Sequence, residues 1–220
     1  SETRTSVLRA LDLLGHERPE RRRRSAGMIG LITPELNNPI FPLFAQVIGA
    51  ELAQRGYTPV LCTQTYGGVT EDEYVEQLLE CGVSGIIFVS GRHADTTATP
   101  QRYQRLVERR LPIVFINGYM PGVSAPFFSC DDTVAGQIAV SHLVSLGHRR
   151  IGLISGPERY VPVQRKLAGY RAAMQEHGLE PEVFLCFFGV EGGHVAASHL
   201  LDRDVTAIVN GNLGSGRGLH

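Results

Sequence analysis

The apolar positions along this chain change period repeatedly. Short continuous apolar runs alternate with stretches where apolar residues recur at helical spacing. Met28 to Thr33, Thr58 to Thr63, Gly85 to Val89, Ile113 to Ile116 and Phe127 to Ser129 read as strands. Between them, Phe44, Val47, Ile48 and Leu52 form one helix face that ends near Gly56. Helices are predicted over Val69 to Cys81, Pro100 to Arg110 and Thr133 to Leu146. The alternation then restarts: strand Ile151 to Ile154, helix Val163 to His177, strand Val183 to Phe187, helix from about Gly193 to Leu201, strand Ala207 to Val209. Ahead of all this, Val7, Leu8, Leu11 and Leu14 repeat at helical spacing, with Ser1 or Thr3 as a cap and Gly15 as a stop.

Strand and helix alternating in this way predict an α/β protein with parallel sheets covered on both faces. The strands are too many for one small sheet, so two sheets joined near Gly147 to Arg150 are expected. Ligands of such folds bind beyond the carboxyl ends of the strands. That rule nominates Thr33 to Phe41, Gln64 to Tyr66, Ser90 to Arg92, Asn117 to Tyr119 and Ser155 to Arg165. Two sheets facing each other would line one cleft with these loops.

Composition narrows the function. The 220 residues are 43% hydrophobic and 20% charged, which excludes a disordered or fibrous chain. Apolar runs are too short to span a membrane. The net charge of -1 leaves any nucleic-acid contact to a local patch, and one exists: Ser1 to Arg24 holds seven arginines against four acids. Cys62, Cys81, Cys130 and Cys186 form no C-x-x-C pair and read as small buried thiols of a reducing compartment. His194 and His199 are five apart, off the spacing of a helical metal pair, so no metal is expected. G-x-S-x-G, H-E-x-x-H and G-K-[ST] are all missing, so neither an enzyme nor a cofactor is expected. Ser1 to Leu14 carries no secretion signal, which suits a cytoplasmic protein.

Several ordered segments resemble the LacI/GalR family of bacterial transcriptional regulators. GMIGLITPELNNPIFPLFAQVIGAELAQRGYTPVLC (Gly27 to Cys62) is similar to the family's first β-α-β unit, and CGVSGIIFVS (Cys81 to Ser90) to its V-D-G-I-I strand, with Ser84 for the usual Asp. DDTVAGQIAVSHLVSLGHRRIGLISGP (Asp131 to Pro157) resembles its most specific stretch, and RKLAGYRAAM (Arg165 to Met174) its R-L-x-G-Y/F-x-x-A-L helix. Ser1 to Glu20 resembles the last helix of the DNA-binding headpiece. The resemblance implies two doubly wound, periplasmic-binding-protein-like subdomains flanking an effector cleft. It divides the chain into a headpiece remnant (1–19), a hinge (20–27), an N-terminal subdomain (28–148) and a C-terminal subdomain (149–220) that stops short of the family's last elements. Glu20 to Gly27 lacks the leucine with which the family's hinge enters the minor groove; Arg21, Arg22, Arg23 and Arg24 are left as DNA contacts or as a solvated charge run.

The resemblance implies operator DNA, a homodimer and a small effector, commonly a sugar, as partners, and no membrane. The rival reading is the solute-binding protein of a sugar uptake transporter. Sugar hydroxyls want planar polar partners and sugar C–H faces want aromatic platforms. By family position and by place at a strand's carboxyl end, as for Ser90, the candidates are Asn38, Phe41, Ser90, Asp131, Tyr160, Arg165, Lys166, Phe188 and Asn212. Phe41 and Phe188 read equally as core, and Phe187 must point away from Phe188. Of the acid pair, Asp131 suits the ligand and Asp132 suits a helix cap. Lys166 stands where the family has arginine, with Arg165 as its substitute.

Overall fold

The computed structural model describes residues 26–64 and 67–217 of the chain. The headpiece-like helix, Arg21 to Arg24 and Tyr66 lie outside the described residues.

The first half builds strands β1 (Gly27–Thr33), β2 (Tyr57–Thr63), β3 (Gly85–Val89), β4 (Ile113–Ile116) and β5 (Phe127–Phe128). They pair in parallel in the order β2-β1-β3-β4-β5. Helices α1 (Ile40–Gln54), α2 (Glu71–Glu80) and α3 (Gln101–Glu108) make the crossovers. Parallel strands demand such crossovers, which is why strand and helix periods alternate in the sequence. The second half builds β6 (Ile151–Ser155), β7 (Glu182–Leu185) and β8 (Ala207–Asn210), parallel in the order β7-β6-β8. Its helices are α4 (Asp132–Ser145), α5 (Val161–Glu176), α6 (Val190–Leu201) and the one-turn α7 (Leu213–Gly216).

The inner strands β1, β3 and β6 are largely buried on both faces, and the period of two sorts their side chains. Ile86 and Phe88 enter a core with Val75 and Leu78 of α2 and Tyr103 and Leu106 of α3. Val89, offset by one residue, joins Leu31 and Phe41 beneath α1. In the second sheet Ile151 and Leu153 face Leu167, Tyr170 and Met174 of α5, while Ile154 faces Ala196 and Leu200 of α6. Burying side chains of this size stabilises by about 1.5–3 kcal/mol each. The Tyr170 hydroxyl is anchored inside its core, donating to the Ile151 carbonyl at 2.7 Å and accepting from the Glu182 amide at 3.0 Å.

Helix α4 shows where pattern reading stops. The sequence places it with the first half, yet Val140 sits in the core formed by Ile151, Leu153 and Leu167. An amphipathic pattern reveals an apolar face but not which sheet receives it. Two glycines allow the contact with α5. A Cβ on Gly169 would overlap the Thr133 carbonyl, and one on Gly136 would crowd the backbone of Lys166 and Tyr170. The thiols also depart from expectation. Cys62 is buried and Cys186 half-buried, but Cys81 and Cys130 are exposed; all four are free. Cys81 is the exposed C-cap of α2, and Cys130 lies in the exposed loop between β5 and α4. No helix among the described residues is long and apolar enough to cross a membrane.

Gly169→Ala is expected to push α4 from α5 and to destabilise by about 1–3 kcal/mol, the usual cost of overpacking. Urea denaturation would read this as a lower midpoint at an unchanged slope.

Candidate functional site

Because every strand is parallel, the loops at the carboxyl ends of both sheets converge. They enclose a cleft of about 280 Å³. From the first sheet it is lined by Glu35 after β1, Gln64 after β2, Ser90 to Asp95 after β3 (with His93 behind) and Asn117 after β4. From the second come Tyr160 and Lys166 around the start of α5, Phe188 after β7, and Gly211 and Asn212 after β8.

The ends of β3 and β4 are built under strain. Ser90 (φ 48°) and Asn117 (φ 60°) both adopt the left-handed region, uncommon without glycine. Asn117 donates from Nδ2 to Ser90 Oγ at 2.6 Å, so the two residues hold each other. Strain of this kind persists where surroundings over-determine it, and it gathers at ligand sites.

Behind this wall lies Glu71, the buried first residue of α2. Its carboxylate accepts from Arg102 Nη1 at 3.1 Å, the Arg92 amide at 3.0 Å and Gln64 Nε2 at 3.3 Å, and from the Tyr103 hydroxyl. Burial, and then the Glu71 charge, push the Tyr103 phenol well above its usual range. Through these bonds one acid fixes two cleft residues, Gln64 and Arg92. His93 is also fully buried, its Nε2 donating to the Ile116 carbonyl at 3.1 Å. Its Nδ1 has no hydrogen-bond partner among the described residues. Burial lowers its pKa to about 4 against a smaller opposing effect of that hydrogen bond.

Six expected residues line the cleft: Phe41, Ser90, Tyr160, Lys166, Phe188 and Asn212. Phe41 reconciles both of its readings, being 8% exposed in the α1 core with part of its surface on the cleft. Phe188 lies against Gly156, where a Cβ would strike its ring, and its centroid is 5.4 Å from that of Tyr160. Phe187 turns outward and is 85% exposed. Asn38 does not line the cleft. It is buried beside it, accepting from the Ile40 amide and donating to Asn212 Oδ1 at 3.4 Å.

Two expectations are corrected. Asp131 is the helix cap, accepting at Oδ1 from the amides of Thr133 and Val134 at 3.1 and 3.0 Å. Asp132 is the buried acid, paired with Lys166 Nζ at 2.6 Å. The helix starts at Asp132, one residue earlier than the sequence pattern predicts, and that shift exchanges the two roles. Arg165 does not line the cleft. Neighbours on a helix point about 100° apart, and Lys166 holds the inward position. Gln64, Arg92, Asp95, Asn117 and Glu35 were not singled out. All but Asp95 lie within the loops nominated by the carboxyl-edge rule; a short 3₁₀ turn, Arg92–Ala94, brings Asp95 in. Among the described residues no group of His, Cys, Asp or Glu could hold a metal ion.

A ligand cleft between the carboxyl ends of two parallel sheets defines an effector- or solute-binding fold. Residues 26–220 match the family described as periplasmic binding proteins and sugar binding domain of LacI family, and the chain belongs to that family. It is 59% identical over 217 residues to an uncharacterized HTH-type transcriptional regulator in the aml 5′ region of Streptomyces limosus, covering 96% of this chain and 62% of that protein. It is 57% identical over 215 residues to the HTH-type transcriptional regulator MalR of Streptomyces coelicolor, covering 94% and 62%. Among solved structures, a transcriptional regulator CelR–cellobiose complex is similar at 29% identity and TM-score 0.69, covering 99% of this chain and 68% of that one. The chain thus spans about three-fifths of the curated relatives' length.

His93 sets a pH dependence. The unfolded chain binds its proton near pH 6.5 and the folded chain only near pH 4. Stability from this residue is therefore fully present above 6.5 and lost as pH falls toward 4, by about 3 kcal/mol. Denaturation curves across that window should show a shallower slope for His93→Gln.

Proposed function

We propose that this chain is the effector-binding part of a DNA-binding transcriptional regulator, a repressor, and that its cleft takes an uncharged carbohydrate. The pairing of every cleft cation carries the choice of ligand. Lys166 is matched by Asp132 at 2.6 Å and Arg92 by Asp72 at 3.1 Å. Glu35 and Asp95 add carboxylates to the lining. A phosphate ester needs uncommitted cations or a cradle of amides, whereas sugar hydroxyls accept and donate among paired polar groups. Phe41, Tyr160 and Phe188 supply surfaces for C–H faces. The cellobiose complex of the CelR relative supports the same chemistry.

In this reading Asn38, Ser90, Lys166 and Asn212 are polar contacts or their supports. The effector changes the angle between two subdomains, and a homodimer transmits it to operator half-sites. Exposed Leu43 and Val47 on α1 support a dimer face. Arg21 to Arg24 are the proposed hinge contacts to DNA phosphates. The core shared by α4 and α5 supports a subdomain boundary at 129–131 rather than 148/149. The regulator names of the relatives favour this reading over a transporter's solute-binding protein. A cytoplasmic site of action follows from it.

A thermal-shift panel of neutral mono- and disaccharides and their phosphate esters tests the ligand class. A ligand at 100 times its Kd adds about 2.7 kcal/mol. Saturable upward shifts are expected from neutral sugars; shifts from phosphate esters alone would sink the proposal. Against a neutral hit, calorimetry should find affinity at least tenfold weaker in Phe188→Ala. In Asp131→Ala affinity should be unchanged, while the lost cap costs about 0.5–2 kcal/mol of stability.

A further inference from the structure

At one end of the cleft the two halves touch directly. Asp95 and Tyr160 form an isolated antiparallel bridge between the loop after β3 and the loop after β6. Thr96 donates twice to the Arg159 carbonyl, from its amide at 2.9 Å and from its hydroxyl at 2.8 Å. Arg159 Nε pairs with Asp95 Oδ2 at 3.3 Å. The other Asp95 oxygen accepts from the amide and hydroxyl of Thr97 at 2.9 and 2.7 Å, so the carboxylate is held in place. On its far side Arg159 donates from Nη2 to the Tyr160 hydroxyl at 3.0 Å, and its guanidinium lies 5.1 Å from that ring's centroid. Tyr160 in turn packs on Phe188 and lines the cleft.

We propose that Arg159 is a positioning residue that joins closure of the cleft to placement of its aromatic platform; this rests on the effector-cleft reading above. One planar group makes both contacts. Its edge reaches Asp95 on the first half while its face and a second edge hold Tyr160 on the second. Lysine, a point charge on a flexible stem, could keep the ion pair but not the stacked geometry. When the halves separate, the Asp95 pair and both Thr96 bonds break together, and Tyr160 loses the carboxylate that anchors its clamp. The Arg159 side chain is 53% exposed although that of Asp95 is only 16% exposed, and a pair with one partner open to solvent is weak. Weakness suits the task, since a contact that must open cannot dominate the equilibrium it biases.

The test uses the full chain without ligand. The Thr96 amide reports the latch, because its acceptor lies across the cleft. Hydrogen exchange at Thr96 should be about 1.4- to 5-fold faster in Arg159→Ala and in Asp95→Asn, the range that loss of such a pair spans. The double variant should show little further gain, since both changes remove the same pair. Amides of Phe88 and Leu153 in the two cores should stay protected throughout. Ring resonances of Tyr160, assigned with Tyr160→Phe, should move in Asp95→Asn as well as in Arg159→Ala. Unchanged Thr96 exchange in both single variants overturns the proposal, as does a Tyr160 signal indifferent to Asp95→Asn. Should Arg159→Ala lose core protection, Asp95→Asn decides by the same two signals. A chain that binds no sugar but shows these changes discards the effector reading and keeps the latch.

Discussion

A parallel strand always releases its chain at the same edge of the sheet, and the site of this protein depends on that constraint. Among the described residues, eight strands in two sheets all run parallel within their sheet. Each therefore delivers a loop to a carboxyl edge, where the side chains escape the packing demands of the core. Facing the two edges toward each other creates a cleft whose residues come from distant parts of the sequence. Asn38 meets Asn212, and Thr96 meets Arg159, only because of this arrangement.

The cleft is made specific by charges buried behind it. Glu71 and Asp132 are nearly free of solvent, and a buried carboxylate is tolerated only when paired or richly hydrogen-bonded. Glu71 meets that demand with four donors, two of which belong to cleft-lining residues. Asp132 meets it with Lys166, which removes the cation's free charge from the cleft. The same desolvation that makes these acids costly when unpaired keeps His93 neutral in the folded protein. Electrostatic cost in the wall and neutrality of the cavity are two sides of one arrangement.

The latch at Arg159 belongs to a different energy scale. Its ion pair is open to solvent on the Arg159 side and its contacts are few, whereas each half has its own buried apolar core. A relative movement of the halves would thus break weak interactions and leave strong ones intact. The glycine-mediated seam of α4 on α5 keeps α4 attached to the second half during such movement, although it follows the last strand of the first sheet.

By itself the sequence determined the elements, their alternation and the class of fold. Periodicity reports burial directly, and β3 and β4 match their predicted bounds residue for residue. It also led to the cleft, because the carboxyl-edge rule needs only strand order in the chain. Of the residues that motif positions nominated, six line the cleft. Only the tertiary structure decided that Asp132 rather than Asp131 faces Lys166, since a one-residue change in a helix start alters which acid turns inward. Only it showed Ser90 and Asn117 in left-handed backbone, a conformation that asparagine favours but that serine does not announce. And only it paired Asp95 with Arg159, 64 positions away in the chain. Local pattern records what each segment buries; which distant charges meet is set by how two sheets are turned toward each other.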